Sequence, residues 1–199
     1  MSLCFTILVI YSLSGKLIYK KEHYIIVDVS GVGYKIFISP KTHEELPEIN
    51  KAVKIFSYLN VKEDALDLYG FMRESDLTFF EKLITVNGVG PKSALAVMSV
   101  APVDQLMAAI NEARPELLTR ASGVGKKIAE RLVLELKGKL PMIQSTEAVG
   151  QMESDMELED VLVGLGYNKN IVKGVVKKID QKIFGLESRL KNALKLLKK

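Results

Sequence analysis

The chain has 199 residues, 48% of them hydrophobic, with a formal net charge of +4, two histidines and one cysteine. Length and apolar content support one to three small cores. The single Cys4 excludes a disulfide framework and a cysteine-based metal site, and neither His23 nor His43 has a partner at ligand spacing. So small a net charge does not announce a nucleic-acid partner, and any DNA affinity must come from where the basic residues sit. Cysteine-poor composition favours a reducing compartment.

At the start, residues 3–13 form an apolar, uncharged run. It lacks the basic n-region and small-residue cleavage site of a signal peptide and is too short to span a bilayer. The run therefore reads as a first strand preceded by residues foreign to the fold. Short segments rich in Val, Ile, Tyr and Phe follow one another at 9–13, 15–19, 24–29, 33–39, 53–60 and 66–71. Polar or glycine turns separate them, which predicts a small closed β-barrel, with the OB-fold the natural candidate. Residues 43–46, before Pro47, predict a helical turn. Gly31, Val32 and Gly33 lie between strands and predict a bulge or tight turn. Glu63 and Asp64 fall where the last hairpin should turn. Adjacent carboxylates on a tip are ordinarily a solvated turn, but in a DNA-binding protein they would repel phosphates.

From Arg73 the apolar spacing changes to three and four, predicting helices at 76–86, 91–100, 102–113, 115–120 and 126–139. Pro91, Pro102 and Pro115 fall in first turns, where proline is tolerated. Ser75, Asp76 and Asp104 fit as caps or first-turn acids. Within this region one motif occurs twice at a constant offset. Asn87, Gly88, Val89, Gly90, Pro91 and Lys92 are matched by Ser122, Gly123, Val124, Gly125, Lys126 and Lys127. Each copy reads as helix, glycine turn, then a helix opening with lysine. Glycine permits positive φ and leaves backbone N–H groups uncovered, and the following helix adds free N–H groups and its dipole. The pair predicts a grip on two phosphates of one nucleic acid, the helix-hairpin-helix pattern. Ala94 and Ala129, at matching offsets, read as close-packing positions.

Residues 141–152 are polar and period-free and predict a flexible linker. Beyond it, 156–165, 169–179 and 186–197 predict three short helices. Lys191, Lys195, Lys198 and Lys199 read as a solvated helix face. Gly125 and Lys126 are followed by Lys127, not Ser or Thr, so no phosphate loop for nucleotide hydrolysis is formed. No nucleophile–base constellation assembles either. The sequence thus predicts no catalytic residue, metal or cofactor.

The order of these features closely resembles the RuvA family of Holliday-junction-binding subunits. Its strongest marks are Glu63 and Asp64 followed by Leu68, Tyr69, Gly70 and Phe71, and the two hairpins at their spacing. The resemblance implies a multidomain α+β protein. An OB-fold barrel would span 1–72, a tandem helix-hairpin-helix domain 73–140, the linker 141–152, and a three-helix, UBA-like domain 153–199. It also implies a homotetramer, sometimes paired into an octamer, that holds four-way junction DNA open. Asn87, Gly88, Val89, Gly90, Lys92, Ser122, Gly123, Val124, Gly125, Lys126 and Lys127 would contact DNA. Glu63 and Asp64 would form an acidic pin at the junction centre. The third domain would recruit the hexameric ATPase RuvB, and the resolvase RuvC would join a larger complex in the bacterial cytoplasm. Two features depart from the family pattern: the extra Met1–Leu8, and Ser12 and Ser14 where many relatives carry arginines. The rival readings are a helix-hairpin-helix DNA glycosylase or lyase using Lys92 or Lys127 as an amine nucleophile, and a plain scaffold for repair proteins.

Overall fold

A computed structural model describes residues 10–141, 146–176, 178–180, 183 and 185–197. Residues 1–9, which include the expected extra segment, lie outside the described residues, as do 142–145 of the expected linker and Lys198 and Lys199 of the basic end.

Five strands make the first unit: β1 (Ser12–Lys21), β2 (Tyr24–Val29), β3 (Val32–Phe37), β4 (Ala52–Val61) and β5 (Leu66–Phe71). They close in the order β1-β2-β3-β5-β4. The β3–β5 pair is parallel and the others are antiparallel. This is the five-stranded OB-type barrel that the strand spacing predicts. Alternation drives it: Leu13, Leu17, Ile25, Val27, Ile36, Val53, Ile55 and Leu68 point inward and form one apolar core.

The two strands expected at 9–13 and 15–19 are one. Gly15 is not a turn residue, because a Cβ there would stand 2.1 Å from the carbonyl oxygen of Asp28. Here glycine lets two strand backbones approach. The real turn between β2 and β3 is Ser30 (φ 54°) and Gly31 (φ 88°). Positive φ at both central residues is the type I′ signature, whose twist suits a two-residue hairpin. The Asp28 carboxylate accepts the Gly31 N–H at 2.9 Å. Helix α1 (Pro40–Glu45) begins earlier than the expected turn at 43–46. Ser39 caps it, its hydroxyl accepting the Thr42 N–H at 3.1 Å.

Helices α2 (Glu74–Ile84), α3 (Pro91–Met98), α4 (Val103–Asn111), α5 (Pro115–Leu118) and α6 (Lys126–Leu136) then build a second core. As expected, Pro91 and Pro115 occupy first helical turns, whereas Pro102 is the N-cap of α4. The two cores meet at an aromatic joint. The Phe80 ring of α2 lies 4.9 Å from Phe71, 5.4 Å from Tyr58 and 5.7 Å from Tyr69. The Tyr11 hydroxyl donates to the Glu74 carboxylate across the same seam.

Helix α7 spans Thr146–Gly164, so the structure carries helix through 146–152, where the sequence reads as linker. Val149 and Met152 are buried in the second core, with Met156 packed beside them. Their spacing of three and four is helical, but Gly150 and Gln151 between them mask it in sequence. Helices α8 (Lys169–Val176) and α9 (Leu186–Leu197) close a third, smaller core with Leu158 and Leu162 of α7. Arg189, almost fully buried there, pairs with Asp155 and donates to the Ser154 hydroxyl at 2.6 Å. No single described helix is long and apolar enough to cross a membrane.

The two barrel glycines separate sterics from conformation. Gly15→Ala should destabilise by about 3 kcal/mol, because a backbone oxygen must move. Gly31→Ala, with open space around its Cβ position, should cost only the left-handed backbone penalty of about 1 kcal/mol. Urea midpoints of the two variants measure this, and equal losses would contradict it.

Candidate nucleic-acid interface

Each hairpin is built the same way. Apolar Val89 and Val124 at the turn centres are buried, at 5% and 4% exposure, and lock each turn to the helical core. Their N–H groups donate to Val86 at 3.0 Å and to Ala121 at 3.1 Å. Gly88 and Gly123 have φ of +88° and +77°, a region where glycine is the natural occupant. Gly90 and Gly125 are different. Both are extended, with φ/ψ of −89°/172° and −81°/172°, and a Cβ on either would meet nothing within 4 Å. Neither conformation nor packing among the described residues requires glycine at these two positions. All four glycines are exposed.

Helices α3 and α6 start directly after these glycines, and neither has a side-chain cap hydrogen bond. Their first amides therefore face outward with the positive end of the helix dipole. The copies are not identical donors: α3 opens with Pro91, which has no N–H, whereas α6 opens with Lys126. Ala94 and Ala129 are fully buried one turn later, each donating its N–H to the turn glycine carbonyl, at 2.9 and 3.0 Å.

One contact joins the two turns. Arg131, on α6 of the second hairpin, donates from Nη1 to the Asn87 carbonyl of the first at 2.9 Å. This contact ties the second helix of the second hairpin to the turn of the first. Sequence reading gave Arg131 no role. Its signal was present, since it lies one helical turn after Lys127 and so on the same face. Lys92, Lys126, Lys127 and Arg131 are all exposed around the corners. Lys126 lies 3.9 Å from Glu130, an exposed pair that leaves its charge open to a stronger anion.

Glu63 and Asp64 occupy the exposed tip between β4 and β5. The Lys62 N–H donates to the Ala65 carbonyl at 2.9 Å to close the turn. At its base Lys62 Nζ bonds the Asp67 carboxylate at 3.1 Å, which pushes the Lys62 ammonium above its ordinary range. Val61 and Leu66 flank the tip at 66% and 71% exposure, so apolar shoulders stand beside the two carboxylates. The tip and the first hairpin are tied together by the Phe80 joint, since Tyr58 lies on β4 and Tyr69 on β5.

An OB-type barrel joined to two stacked glycine hairpins defines a protein of the tandem helix-hairpin-helix class. Comparison with known families agrees: residues 10–70 match the RuvA N-terminal domain, and residues 80–139 match the SAM-like helix-hairpin-helix tandem. A protein of Caldanaerobacter subterraneus subsp. tengcongensis is 40% identical over 178 residues, covering 88% of this chain and 92% of its own. Another, of Geobacter metallireducens, is 40% identical over 195 residues, covering 94% and 98%. A third, of Acetivibrio thermocellus, is 38% identical over 191 residues, covering 91% and 95%. Each is named Holliday junction branch migration complex subunit RuvA. The chain belongs to the RuvA family.

Within the first hairpin, Glu81 of α2 carries a buried carboxylate oxygen with no hydrogen-bond partner among the described residues. Burial pushes this carboxyl above its ordinary 4.5, with Lys82 opposing. The folded chain then holds this proton to higher pH than the unfolded chain. Glu81 therefore makes stability fall as pH rises upward from that ordinary value. Glu81→Gln should remove this slope and raise stability at neutral pH, read from urea midpoints across the range. An unchanged profile would show that water already satisfies the carboxylate.

Proposed function

We propose that this protein is a structure-specific DNA-binding subunit that holds a Holliday junction open for branch migration. The observation that carries the reading is the pair of glycine corners with matching backbone angles, exposed, without side-chain caps and linked by Arg131. Amides of Gly88, Gly90, Gly123 and Gly125 take phosphate oxygens, with Asn87, Val89, Ser122 and Val124 shaping the turns. Lys92, Lys126 and Lys127 add affinity by counterion release. Backbone donors read no base edge, so recognition follows DNA shape.

Glu63 and Asp64 act as the pin. Negative charge on a rigid hairpin repels the strands at the crossing point and keeps arms apart, while the hairpins hold the arms. Four-fold symmetry of a junction calls for a homotetramer, two of which can enclose it as an octamer. The chain does no chemistry itself. Movement of the branch point is supplied by an ATP-hydrolysing motor, the RuvB hexamer, recruited through residues 153–199, and a resolvase of the RuvC kind acts on the same assembly. We assign 1–72 to the barrel and pin and 73–140 to the tandem hairpins.

Gel-shift competition between a four-way junction and linear duplex of equal length tests the central claim, and equal competition would sink it. Lys126→Ala with Lys127→Ala should weaken junction binding and reduce the slope of log affinity against log salt by about 2. An unchanged slope means that these lysines do not touch phosphate. Glu63→Ala with Asp64→Ala should keep junction affinity within a few-fold, yet reduce selectivity for junction over duplex. Removal of residues 153–199 should abolish motor-driven migration and spare junction binding; loss of both would return the tail to the DNA-binding unit.

A further inference from the structure

The outer face of the barrel over β1, β2 and β3 belongs to neither hairpin nor pin, and along it rings and lysines alternate. Tyr19 and Tyr24 stack with centroids 5.7 Å apart and planes at 27°. Lys21 Nζ stands 5.8 Å from the Tyr19 centroid. Lys35 Nζ stands 4.7 Å from that of Tyr24 and 5.2 Å from that of Phe37. Hydrogen bonding between the two phenols, with Lys21 beside them, draws Tyr19 below its ordinary range and pushes Tyr24 above it. Phe37 continues the row into a cleft of about 370 Å³ between the barrel and α3, mostly apolar, with His23 and Lys92 among its lining. The row thus runs from β1 to the lysine of the first hairpin.

An ordinary solvated sheet face would pair its lysines with acids. Here the Asp28 carboxylate accepts the Gly31 N–H, and Glu22 stands beside His23. Among the described residues, Lys21 and Lys35 stand against aromatic rings and form no ion pair. A ligand matched to this face carries flat aromatic groups and regularly spaced negative charge. Single-stranded DNA has both, whereas duplex DNA hides its base faces. OB-type barrels offer a side suited to such a chain.

We propose that the outer face of β1–β3 is a second nucleic-acid site that takes single-stranded DNA. Bases stack on Tyr19 and Tyr24, phosphates sit at Lys21 and Lys35, and the strand passes the Phe37 cleft toward Lys92. The site rests on the junction reading only for the origin of its strand, which the parted arms would supply. Its chemistry is independent of the hairpin amides.

The test uses the full chain and fluorescein-labelled oligothymidine of about 15 nucleotides, near the upper site size of one such barrel, followed by anisotropy beside a labelled junction. The variant is Tyr19→Ala with Lys35→Glu, both exposed positions, with its melting curve compared to wild type. Oligothymidine affinity should fall about tenfold or more, as lost stacking and a reversed charge require, with junction affinity within about twofold of wild type. Lys126→Ala with Lys127→Ala should do the reverse. Photocrosslinking with 5-iodouracil in place of thymine should map adducts to Tyr19 or Tyr24. Absent saturable oligothymidine binding, unchanged affinity in the variant, or adducts confined to 87–92 and 122–127 would each overturn the proposal. A variant that dissociates in light scattering would overturn it too, by assigning the face to self-association. Loss of junction selectivity in the wild type with oligothymidine binding intact would instead count against the junction reading alone.

Discussion

The Phe80 joint is the contact on which the arrangement turns. One ring on the first helix of the first hairpin packs against three rings on the two strands that carry the acidic tip. With the Tyr11 bond to Glu74 beside it, this joint fixes the barrel against the first hairpin. Burying a phenylalanine this completely is worth about 3–5 kcal/mol against its removal, a large share of the stability of a small domain. Aromatic pairs also favour offset and edge geometries, so the joint sets an angle as well as a distance.

The hairpins answer a different problem. Gripping a sugar–phosphate chain of arbitrary sequence calls for donors that do not depend on side-chain identity, and backbone amides at a helix start are such donors. Each corner needs one apolar anchor and bare surroundings, supplied by buried Val89 and Val124 between exposed glycines. Under the proposed reading duplication gives two grips, and the Arg131 bond to the Asn87 carbonyl ties one hairpin to the other. Had the two corners faced apart, each would have been a weak anion site and no more.

The C-terminal helices are held on other terms. The start of α7 belongs to the hairpin core through Val149 and Met152, while its later turns belong to the small core with α8 and α9. Between these the contacts are ionic: Arg114 with Glu153, and Arg120 with Glu159 at 2.5 Å. The Arg114 pair is well exposed and stabilises little, whereas the Arg120 pair is largely shielded and is screened less by salt. One helix thus serves two cores, a role that a linker composition conceals.

Much of this was legible in the residues. The closed barrel follows from the alternation of Ile25, Val27, Ile36 and Ile55, and the twin corners follow from a repeated Gly-Val-Gly, because both depend on local periodicity and glycine conformation. The apolar sequence around Gly15 could not show that one strand runs through it, since glycine as a turn and glycine as a close approach look alike in sequence. The helix over 146–152 escaped notice because its stability comes from a partner core and not from its own composition. Arg131 was visible as a basic residue, but its bond to Asn87 joins positions 44 apart in the chain. Local chemistry therefore determined which elements form and where the glycine corners lie. Only tertiary packing decided that both corners and the acidic tip are joined through shared contacts, because those contacts link residues remote in sequence.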